Sequence, residues 1–502
     1  MDLTRHRDLA VLVLFLVGVR VVSMIVVAQP GYTDAYYYAT VASRVAHGDG
    51  LTADFVWNFL EAPRFLALPI ASHRFWMPLA TLVQAAGIVP LGGLLGDLRA
   101  GQLAIVLVAA LIPVVTYAAA RGLGASASAA LLGAGVAGLG GAFAPAWVSV
   151  DAFVPAAVIG TAFFIVFARA ARGSVAAGVT AGLLVGLLYL TRAEGALFGL
   201  ALLWLAGRPI SRGAGVSGSL VAIAIGGSWL VRNVSLGYPD DLLARAVLLV
   251  RYEDFFAVNG PTLGSFLSSP GEVVSARLGA LGTNAVTAAM SLLVVLLVPL
   301  IGAARRRRAR ADVGAFVALA VLVYLVQSLA FAPHSVRGSY FHSLAAFFPF
   351  AVALAAAGTE EMLAPTRGHL LRLVAATALL GFGAVSTFAL GEWDVAFNTP
   401  YRARVAAAAL LPEGPIVVTD AAAWRWITGR VAIVAPADGP LFAGCAAQIY
   451  LANTLILEPA HFSRYDDLYG SQRTDLFTLR SETEGIRIYS LRPENRCIVA
   501  FQ

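Results

Sequence analysis

The sequence predicts a polytopic α-helical membrane protein with about eleven transmembrane helices and a small C-terminal α/β domain outside the cytoplasm. Two features of the composition support this class, because 59% of the 502 residues are hydrophobic and only 13% are charged. Soluble domains carry roughly 25% charged residues, so the bilayer is expected to be the main solvent. The third observation is a series of apolar runs close to the roughly 20 residues that a helix needs to cross a bilayer.

Arginine-containing breaks between the apolar runs set the predicted orientation. The largest break is Arg305-Arg306-Arg307-Arg308-Ala309-Arg310, and membrane insertion keeps such positive charge on the cytoplasmic side. Alternating around the breaks predicts a multi-pass protein of the plasma (inner) membrane with a cytoplasmic N-terminus. The predicted crossings are roughly 9–28, 100–120, 125–145, 152–171, 175–190, 195–207, 215–231, 283–303, 312–331, 340–358 and 369–389.

One apolar stretch, Met77–Leu95, is left out of the crossings. Counting it would place Arg121 outside the cytoplasm and break the alternation that follows. The stretch contains Pro90 and a Gly92-Gly93 pair, which disfavour a spanning helix. We therefore predict a helix in or on the outer interface, whereas hydropathy alone would make it a twelfth crossing.

This topology divides the chain into two predicted domains. Residues 1–390 form the transmembrane domain, whose first extracytoplasmic loop covers 29–99, and residues 391–502 form an extracytoplasmic α/β domain. Strands in the α/β domain are predicted at Ile416–Thr419, Val431–Val434, Leu455–Leu457 and Ile486–Leu491.

The two cysteines, Cys445 and Cys497, both lie in the predicted α/β domain. A single pair on the oxidising side of the membrane can form a disulfide. Two buried free thiols are the alternative, so Cys445 and Cys497 are disulfide candidates.

Two acidic residues lie at the predicted outer ends of helices. Asp34 follows the first crossing, before Tyr36-Tyr37-Tyr38, and Asp151 lies at the start of the fourth crossing. An acid in this position can act as a general base toward a hydroxyl group, and apolar surroundings would raise its pKa toward a useful range. Each acid could instead be a helix N-cap. The two carboxylates could also divide the roles of base and of metal binding or orientation.

Two further polar pairs lie at the ends of apolar runs. Arg192 and Glu194 separate two such runs, and Arg232 and Asn233 end the seventh crossing. Charges at a membrane boundary are functional candidates, and the donor fork of arginine matches phosphate oxygens. A local ion pair, a snorkelling arginine or an interfacial anchor is the structural alternative.

Histidine and arginine also occur together in two outer segments. His73 and Arg74 precede the interfacial helix, and Arg337 and His342 lie with His334 between the ninth and tenth crossings. Histidines without nearby Cys or carboxylate make a weak metal site, so anion contact or interfacial placement is favoured. No cofactor is firmly implied, and a divalent metal (Mg or Mn) stays open. The net charge of +6 lies largely in short loops, where it reports orientation rather than nucleic-acid binding.

Several of these segments resemble motifs of the GT-C superfamily of membrane glycosyltransferases. Asp34, with the aromatic residues after it and the glycines near His47, resembles the first outer loop of that superfamily, and Trp76-Met77-Pro78-Leu79 resembles its entry into a juxtamembrane helix. The branch most similar is the bacterial one near glycosyltransferase family 39, the mannosyltransferase-like enzymes, whose second outer-loop acid Asp151 matches. Other motifs of this branch are similar to Leu190-Thr191-Arg192, Trp229-Leu230-Val231-Arg232-Asn233, Gly237-Tyr238-Pro239, Val418-Thr419-Asp420 and Thr428-Gly429-Arg430.

The resemblance implies a polyprenyl-phosphate-linked sugar donor in the bilayer and a protein, glycan or lipid acceptor. Asp34 would deprotonate the acceptor hydroxyl, which attacks the anomeric carbon with inversion. Arg192, Arg232 or Arg337 would stabilise the departing lipid phosphate. Many relatives carry Asp-Glu at the first motif, whereas Ala35 follows Asp34 here, which weakens the argument for a metal.

Two other functional classes remain as alternatives. A non-catalytic transporter would carry polar residues near the middle of several crossings, whereas the charges here gather at the outer ends. A non-catalytic relative that binds an envelope polymer through its C-terminal segment, residues 391–502, here called the tail, would tolerate replacement of Asp34.

Overall fold

The computed structural model describes residues 3–61, 67–237, 242–364, 368–471 and 474–492. The chain divides into two compact units. The helical unit comprises Met1–Ala28, Trp76–Tyr238 and Leu278–Trp393. The α/β unit comprises Gln29–Phe75, Pro239–Arg277 and Asp394–Gln502. The unit that contains the tail therefore also takes in parts of two earlier loops, and the predicted boundary at residue 390 stays a prediction.

The helical unit consists of helices of unequal length. Among the described residues, six are long and apolar enough to cross a membrane, and a bent pair would make a seventh. The six are Arg7–Val26, Asp97–Gly122, Phe153–Ala170, Arg212–Ser235, Ala311–Leu329 and Leu373–Ala408, of which the last runs on into the α/β unit. Each falls on a predicted crossing.

The other five predicted crossings fall on shorter or broken helices. They correspond to Ala127–Leu139, Val175–Thr191, Ala193–Ala206, Pro270–Ser291 followed by Leu297–Arg306, and the pair Ala332–Ala345 and Phe348–Leu363, which bends by 64°. Gly140 ends the first of these helices in the left-handed conformation, and Leu293 and Val294 have positive φ in the break after Ser291. The number of crossings in the bilayer stays a prediction.

The stretch predicted to lie at the interface forms the helix Leu79–Leu95. Gln84 on this helix donates a hydrogen bond from Nε2 to the carbonyl oxygen of Val150, at 3.1 Å. The helix therefore packs within the helical unit and supports the loop that precedes Asp151.

Glycines bring the helices Val175–Thr191 and Arg212–Ser235 into close contact. A Cβ atom added at Gly182 would lie 2.1 Å from the carbonyl oxygen of Gly218, and one at Gly178 would lie 2.2 Å from that of Ala214. Small residues at such spacing allow membrane helices to gain dispersion energy by close backbone approach.

The α/β unit contains a six-stranded mixed sheet. The strands in sheet order are Phe55–Val56, Ala432–Val434, Ile416–Val418, Thr454–Leu457, Ile486–Leu491 and Phe477–Thr483. The first four are parallel and the last two extend the sheet as an antiparallel hairpin. The four strands predicted in the tail are confirmed. Phe477–Thr483 and the short strand from the first loop were not predicted.

Helices connect the parallel strands of the tail. Ala421–Thr428 follows the strand Ile416–Val418, and Pro440–Ile449 follows Ala432–Val434. Val417, Leu455, Phe477 and Tyr489 form part of the core beneath them. This core fixes the ends of the central strands and thereby the positions of the acidic residues that follow them.

Candidate active site

Asp34 lies in the first turn of the helix Thr33–Ala46, which we call the first-loop helix. The N-cap of this helix is Tyr32, in an extended conformation with φ −126° and ψ 170°. The N-cap alternative for Asp34 is therefore wrong. An acid in the first turn is favoured by the positive end of the helix dipole, and Asp34 keeps part of its surface exposed.

Buried tyrosines after Asp34 hold the first-loop helix within the α/β unit. The hydroxyl group of Tyr36 donates to Oε1 of Gln29 at 2.5 Å, and Nε2 of Gln29 donates to Oδ1 of Asn398 at 3.0 Å. The backbone N–H of His73 donates to the hydroxyl oxygen of Tyr37 at 2.6 Å. The helix that carries Asp34 is thus anchored on two sides.

His73 and Arg74 belong to the interior of the first loop. The His73 ring is fully buried and stacks on Tyr38 with ring centroids 5.9 Å apart. The backbone N–H of Arg74 donates to Oε1 of buried Glu61 at 3.1 Å, and its guanidinium donates to the Glu61 carbonyl oxygen. Burial raises the pKa of Glu61. These contacts favour a structural role, and substrate binding by His73 and Arg74 stays a prediction.

A buried cluster in the α/β unit was not recognised as a site in the sequence. Glu458 directly follows the carboxyl end of one central strand, Thr454–Leu457. Asp420 follows that of another, Ile416–Val418, after one intervening residue. Nη2 of Arg404 lies 2.8 Å from the Glu458 carboxylate and 3.8 Å from that of Asp420. Burial raises the pKa of Asp420, and Arg404 acts in the opposite direction. An acid just after a buried strand is the signal that could have located it.

In the helical unit, Asp151 and His342 form a buried pair. Nε2 of His342 lies 2.9 Å from Oδ2 of Asp151, and Nδ1 lies 2.9 Å from the carbonyl oxygen of Gly338. The His342 ring stacks on Phe153, with ring centroids 4.0 Å apart. Residues that are 191 positions apart in the sequence are thereby joined.

The hydrogen bonds of His342 define where its protons are. The carbonyl oxygen of Gly338 only accepts, so Nδ1 of His342 must carry a hydrogen. A second hydrogen must lie between Nε2 and Oδ2 of Asp151, since two lone pairs at 2.9 Å would repel each other. The pair is therefore an imidazolium and a carboxylate or two neutral groups, and its net charge is zero in both cases.

The side chains of Gln102 and Trp147 hold the loop before Asp151 in place. Gln102 donates from Nε2 to the carbonyl oxygens of Val27 and Val148, at 2.9 and 3.3 Å. Trp147 donates from Nε1 to the carbonyl oxygen of Ala137 at 3.1 Å. Asp151 itself accepts a hydrogen bond from the backbone N–H of Ala152, while the N-cap of the following helix is Ala152. The loop therefore presents Asp151 in one defined orientation.

Arg192 and Glu194 are a second polar group in the helical unit. Nε of Arg192 donates to Oε1 of Glu194 at 2.5 Å, and Nη2 donates to Oγ of Ser339 at 3.1 Å. Ser343 donates from Oγ to the same Glu194 oxygen at 2.6 Å. The local ion pair is thus present, and neither side chain snorkels away from the other. The two serines were not predicted to take part.

A small cavity lies beside these groups, and its walls are largely apolar. Arg192, Glu194, His342 and Ser343 line its polar part, while the rest is lined by Ala156, Leu188, Gly195, Phe198, Val323, Ala346 and Phe347. The Arg192–Glu194 pair at the cavity has zero net formal charge. The accessible wall of the cavity is almost wholly apolar.

Arg232, Asn233 and Arg337 lie apart from that ion pair in the sequence but within the helical unit. Arg232 ends the helix Arg212–Ser235, stacks on Trp229 at 4.5 Å and donates from Nη1 to Oδ1 of Asn233 at 2.9 Å. Arg337 is exposed in the segment Ser335–Ser339, which is kinked at Gly338 (φ 113°) and precedes the helix that carries His342. Tyr238 and Pro239 of the neighbouring motif lie outside the described residues. Anion binding by these three residues stays a prediction.

The cysteine prediction is only partly covered. Cys445 is buried in the helix Pro440–Ile449. Cys497 lies outside the described residues, so the disulfide stays a prediction.

A divalent ion at the Asp151–His342 pair would compete with the hydrogen bonds of the histidine ring. Both ring nitrogens of His342 are engaged in hydrogen bonds, and a metal ligand must offer a free nitrogen lone pair. A divalent ion bound to this histidine would have to replace its bond to Asp151. We therefore derive no chemical step through a metal.

The fold is similar to that of several solved structures. It is similar to ArnT from Cupriavidus metallidurans bound to undecaprenyl phosphate, with 15% identity over 96% of this chain and 98% of that chain and a TM-score of 0.55. Apo ArnT matches with 14% identity, 95% and 97% coverage and a TM-score of 0.55. The oligosaccharyltransferase AglB from Archaeoglobus fulgidus, in complex with an inhibitory peptide and a dolichol-phosphate, matches with 12% identity, 90% and 69% coverage and a TM-score of 0.56.

Sequence comparisons add no closer relationship. No family model and no curated protein matches the chain. The likeness to solved structures therefore speaks for the fold alone. The predicted fold class is confirmed: the chain has a multi-pass helical membrane fold, shared with ArnT and AglB, with a small α/β region near its C-terminus.

Proposed function

We propose that the protein is an integral membrane glycosyltransferase that moves a sugar from a polyprenyl-phosphate donor to an acceptor hydroxyl group. The observation that carries this proposal is the fold. This chain shares it over nearly the whole length of both chains with ArnT, whose crystal structure has undecaprenyl phosphate bound.

Asp34 is the proposed general base. It takes the proton of the acceptor hydroxyl group as the oxygen forms a bond to the anomeric carbon and the bond from that carbon to phosphate oxygen breaks. The electron pair of the broken bond leaves with the polyprenyl phosphate, and the anomeric configuration inverts. The anchored helix supports this role because a base must be held in position, and Asp34 lies in the first turn of that helix.

Arg192 is the proposed contact for the departing phosphate. Its guanidinium is already paired with Glu194, so a bound phosphate would have to share or replace that pairing. Arg232, Asn233 and Arg337 are the further proposed anion contacts, on the strength of the resemblance. The Asp151–His342 pair is proposed to orient the substrate through a fixed, neutral hydrogen-bonding group.

The proposed location is the outer face of the plasma membrane, with the N-terminus cytoplasmic. This orientation rests on the arginine-containing breaks. It places the transferred sugar and the acceptor outside the cytoplasm. Periplasmic or extracellular labelling of single cysteines introduced at exposed positions such as Asp49 would test it.

The transporter alternative is less well supported. Gln327 and Ser328 lie in the last turn of the helix Ala311–Leu329 rather than at its middle, and Gln327 donates to Ser343 at 3.1 Å. Asn284 donates to Ser328 and Ser335 at 2.9 and 3.0 Å. These buried polar groups bind one another near a helix end, as expected for a site close to the membrane surface.

Mass spectrometry of lipids extracted from the purified protein tests the donor class. We expect a polyprenyl phosphate or its sugar-linked form, depleted when Arg192 is replaced by Met and retained when exposed Arg251 is replaced by Met. Arg251 is the matched control because it lies in an exposed ion pair with Glu272. Only ordinary phospholipids in all three preparations would contradict the proposal.

A further inference from the structure

The first-loop helix lies against a helix of the tail, Ala421–Thr428, which we call the tail helix. Both belong to the α/β unit. At their N-terminal ends, Oγ1 of Thr33 donates to Oδ2 of Asp420 at 3.1 Å. Thr33 is the residue directly before Asp34, and Asp420 is the N-cap of the tail helix.

A second polar contact joins the C-terminal ends of the same two helices. Asp54 accepts from Nη1 of Arg44 at 3.0 Å and from Nε and Nη2 of Arg425 at 2.9 and 2.7 Å. Arg44 is in the last turn of the first-loop helix, and Arg425 is in the last turn of the tail helix. Polar contacts therefore hold the two helices together at both ends.

The Asp420 carboxylate has little freedom to move. Its Oδ1 accepts the backbone N–H of Ala423 at 3.2 Å, which leaves Oδ2 for Thr33. Behind it, Arg404 pairs with Glu458 at 2.8 Å, and Glu458 also accepts from Nε1 of Trp424 at 2.8 Å. A carboxylate held in this way can fix the position of the helix that contacts it.

We infer that the tail positions the proposed base: Asp420, acting through the Thr33 hydroxyl group, fixes the start of the helix that carries Asp34. This inference rests on the proposed function of Asp34. Asp420 is a positioning residue, and it touches neither donor nor acceptor in this account. The tail would then be part of the catalytic apparatus rather than an accessory binding domain.

The test removes the contact from each side. Thr33→Val deletes the hydroxyl group at nearly constant volume, and Thr33→Ser retains it. Asp420→Ser keeps an N-cap oxygen but loses the oxygen that reaches Thr33. Thr428→Val is the matched control, because the Thr428 hydroxyl group contacts the Trp424 carbonyl oxygen and the backbone N–H of Arg430, at the opposite end of the tail helix from Asp420.

Two measurements are made on the full-length protein in detergent. The first is hydrogen–deuterium exchange of the amides in 33–46, which does not depend on any substrate. The second is consumption of the lipid-linked sugar recovered from the protein, with solubilised membranes as the source of acceptor. We expect Thr33→Val and Asp420→Ser to raise the exchange rate about tenfold and to lower kcat about ten- to a hundredfold, with KM changed less than about twofold.

Thr33→Ser should restore both values, and Thr428→Val should change neither. The double variant Thr33→Val, Asp420→Ser should have the same exchange rate and kcat as the more impaired single variant, since both substitutions remove the same contact. Faster exchange with unchanged kcat would overturn the positioning role, and unchanged exchange would overturn the contact itself. No donor consumption by the unaltered chain would remove the proposed function and the catalytic part of the inference with it, while faster exchange would still support the contact.

Discussion

At the scale of single residues, the Asp151–His342 pair is a buried and doubly hydrogen-bonded polar group of the helical unit. The Asp151 side chain is fully buried, and His342 is 9% exposed. Both nitrogens of the ring are engaged, so the pair cannot exchange a proton with water without breaking a hydrogen bond. This geometry suits a fixed orienting group better than a base that must release its proton at every turnover.

Replacing Asp151 should reveal the shared proton. Asp151→Asn can still donate to Nε2 of a neutral His342, so we expect it to cost about 1 kcal/mol of unfolding free energy. Asp151→Ala leaves the imidazole buried without its partner and should cost about 3 kcal/mol or more. Thermal unfolding in detergent measures both variants. Equal losses for Asn and Ala would contradict the proton assignment.

Buried Glu61 should make stability depend on pH. Its carboxylate accepts from Nε1 of Trp57 at 2.7 Å, and burial raises its pKa above the usual 4.5. Ionisation then costs the folded chain more than the unfolded chain, so the stability that Glu61 contributes at low pH is lost as the pH rises through its folded-state pKa.

Glu61→Gln isolates this effect because glutamine does not titrate. The melting temperature of the unaltered chain should fall relative to that of Glu61→Gln as the pH rises above about 4.5. Unfolding curves of both proteins across that range are the measurement. A constant difference, or one that grows in favour of the unaltered chain, would show that the pKa is not raised.

At the scale of elements, the glycines of the helix Val175–Thr191 set how closely it approaches the helix Arg212–Ser235. Gly182→Ala would force backbone atoms apart, and we expect a loss of about 1–3 kcal/mol. Gly279→Ala is the control, because a Cβ there meets nothing within 4 Å. It should leave stability unchanged or raise it slightly. Similar melting temperatures for both variants would refute the close contact.

The elements that the sequence predicted are those with a local signal. Each of the eleven apolar runs contains helix, and the strands around Val417, Ile433, Ile456 and Ile488 lie where hydrophobic β-branched residues cluster. The strand Phe55–Val56 has only two residues and exists by pairing with Ala432 and Ile433. Its stability comes from a partner far along the chain, so no local pattern could reveal it.

At the scale of the whole molecule, the sequence singled out candidate residues but not the side chains that they contact. Asp34, Asp151 and Arg192 stood out because charge is rare at the ends of apolar runs. The contacts Asp151–His342, Arg192–Ser339 and Thr33–Asp420 depend on how distant helices pack, which periodicity does not specify. The Tyr32 cap likewise became visible only once the helix start was known.

The discontinuous α/β unit has a consequence for truncation. Its sheet combines Phe55–Val56 of the first loop with strands of the tail. A chain cut after residue 393 would therefore leave the first loop without its sheet partner and without the Thr33–Asp420 contact. We expect such a chain to insert into membranes but to lose protection of the loop against protease.

The central claim is that Asp34 is the base of a sugar transfer. The most direct test compares transfer from the recovered lipid-linked sugar by the unaltered protein and by Asp34→Asn, with Asp49→Asn as the control in the same loop, where the Asp49 side chain is 54% exposed. We predict that Asp34→Asn lowers kcat by about 10²- to 10⁴-fold with an unchanged melting temperature, and that Asp49→Asn retains activity. Full transfer by Asp34→Asn would contradict the account.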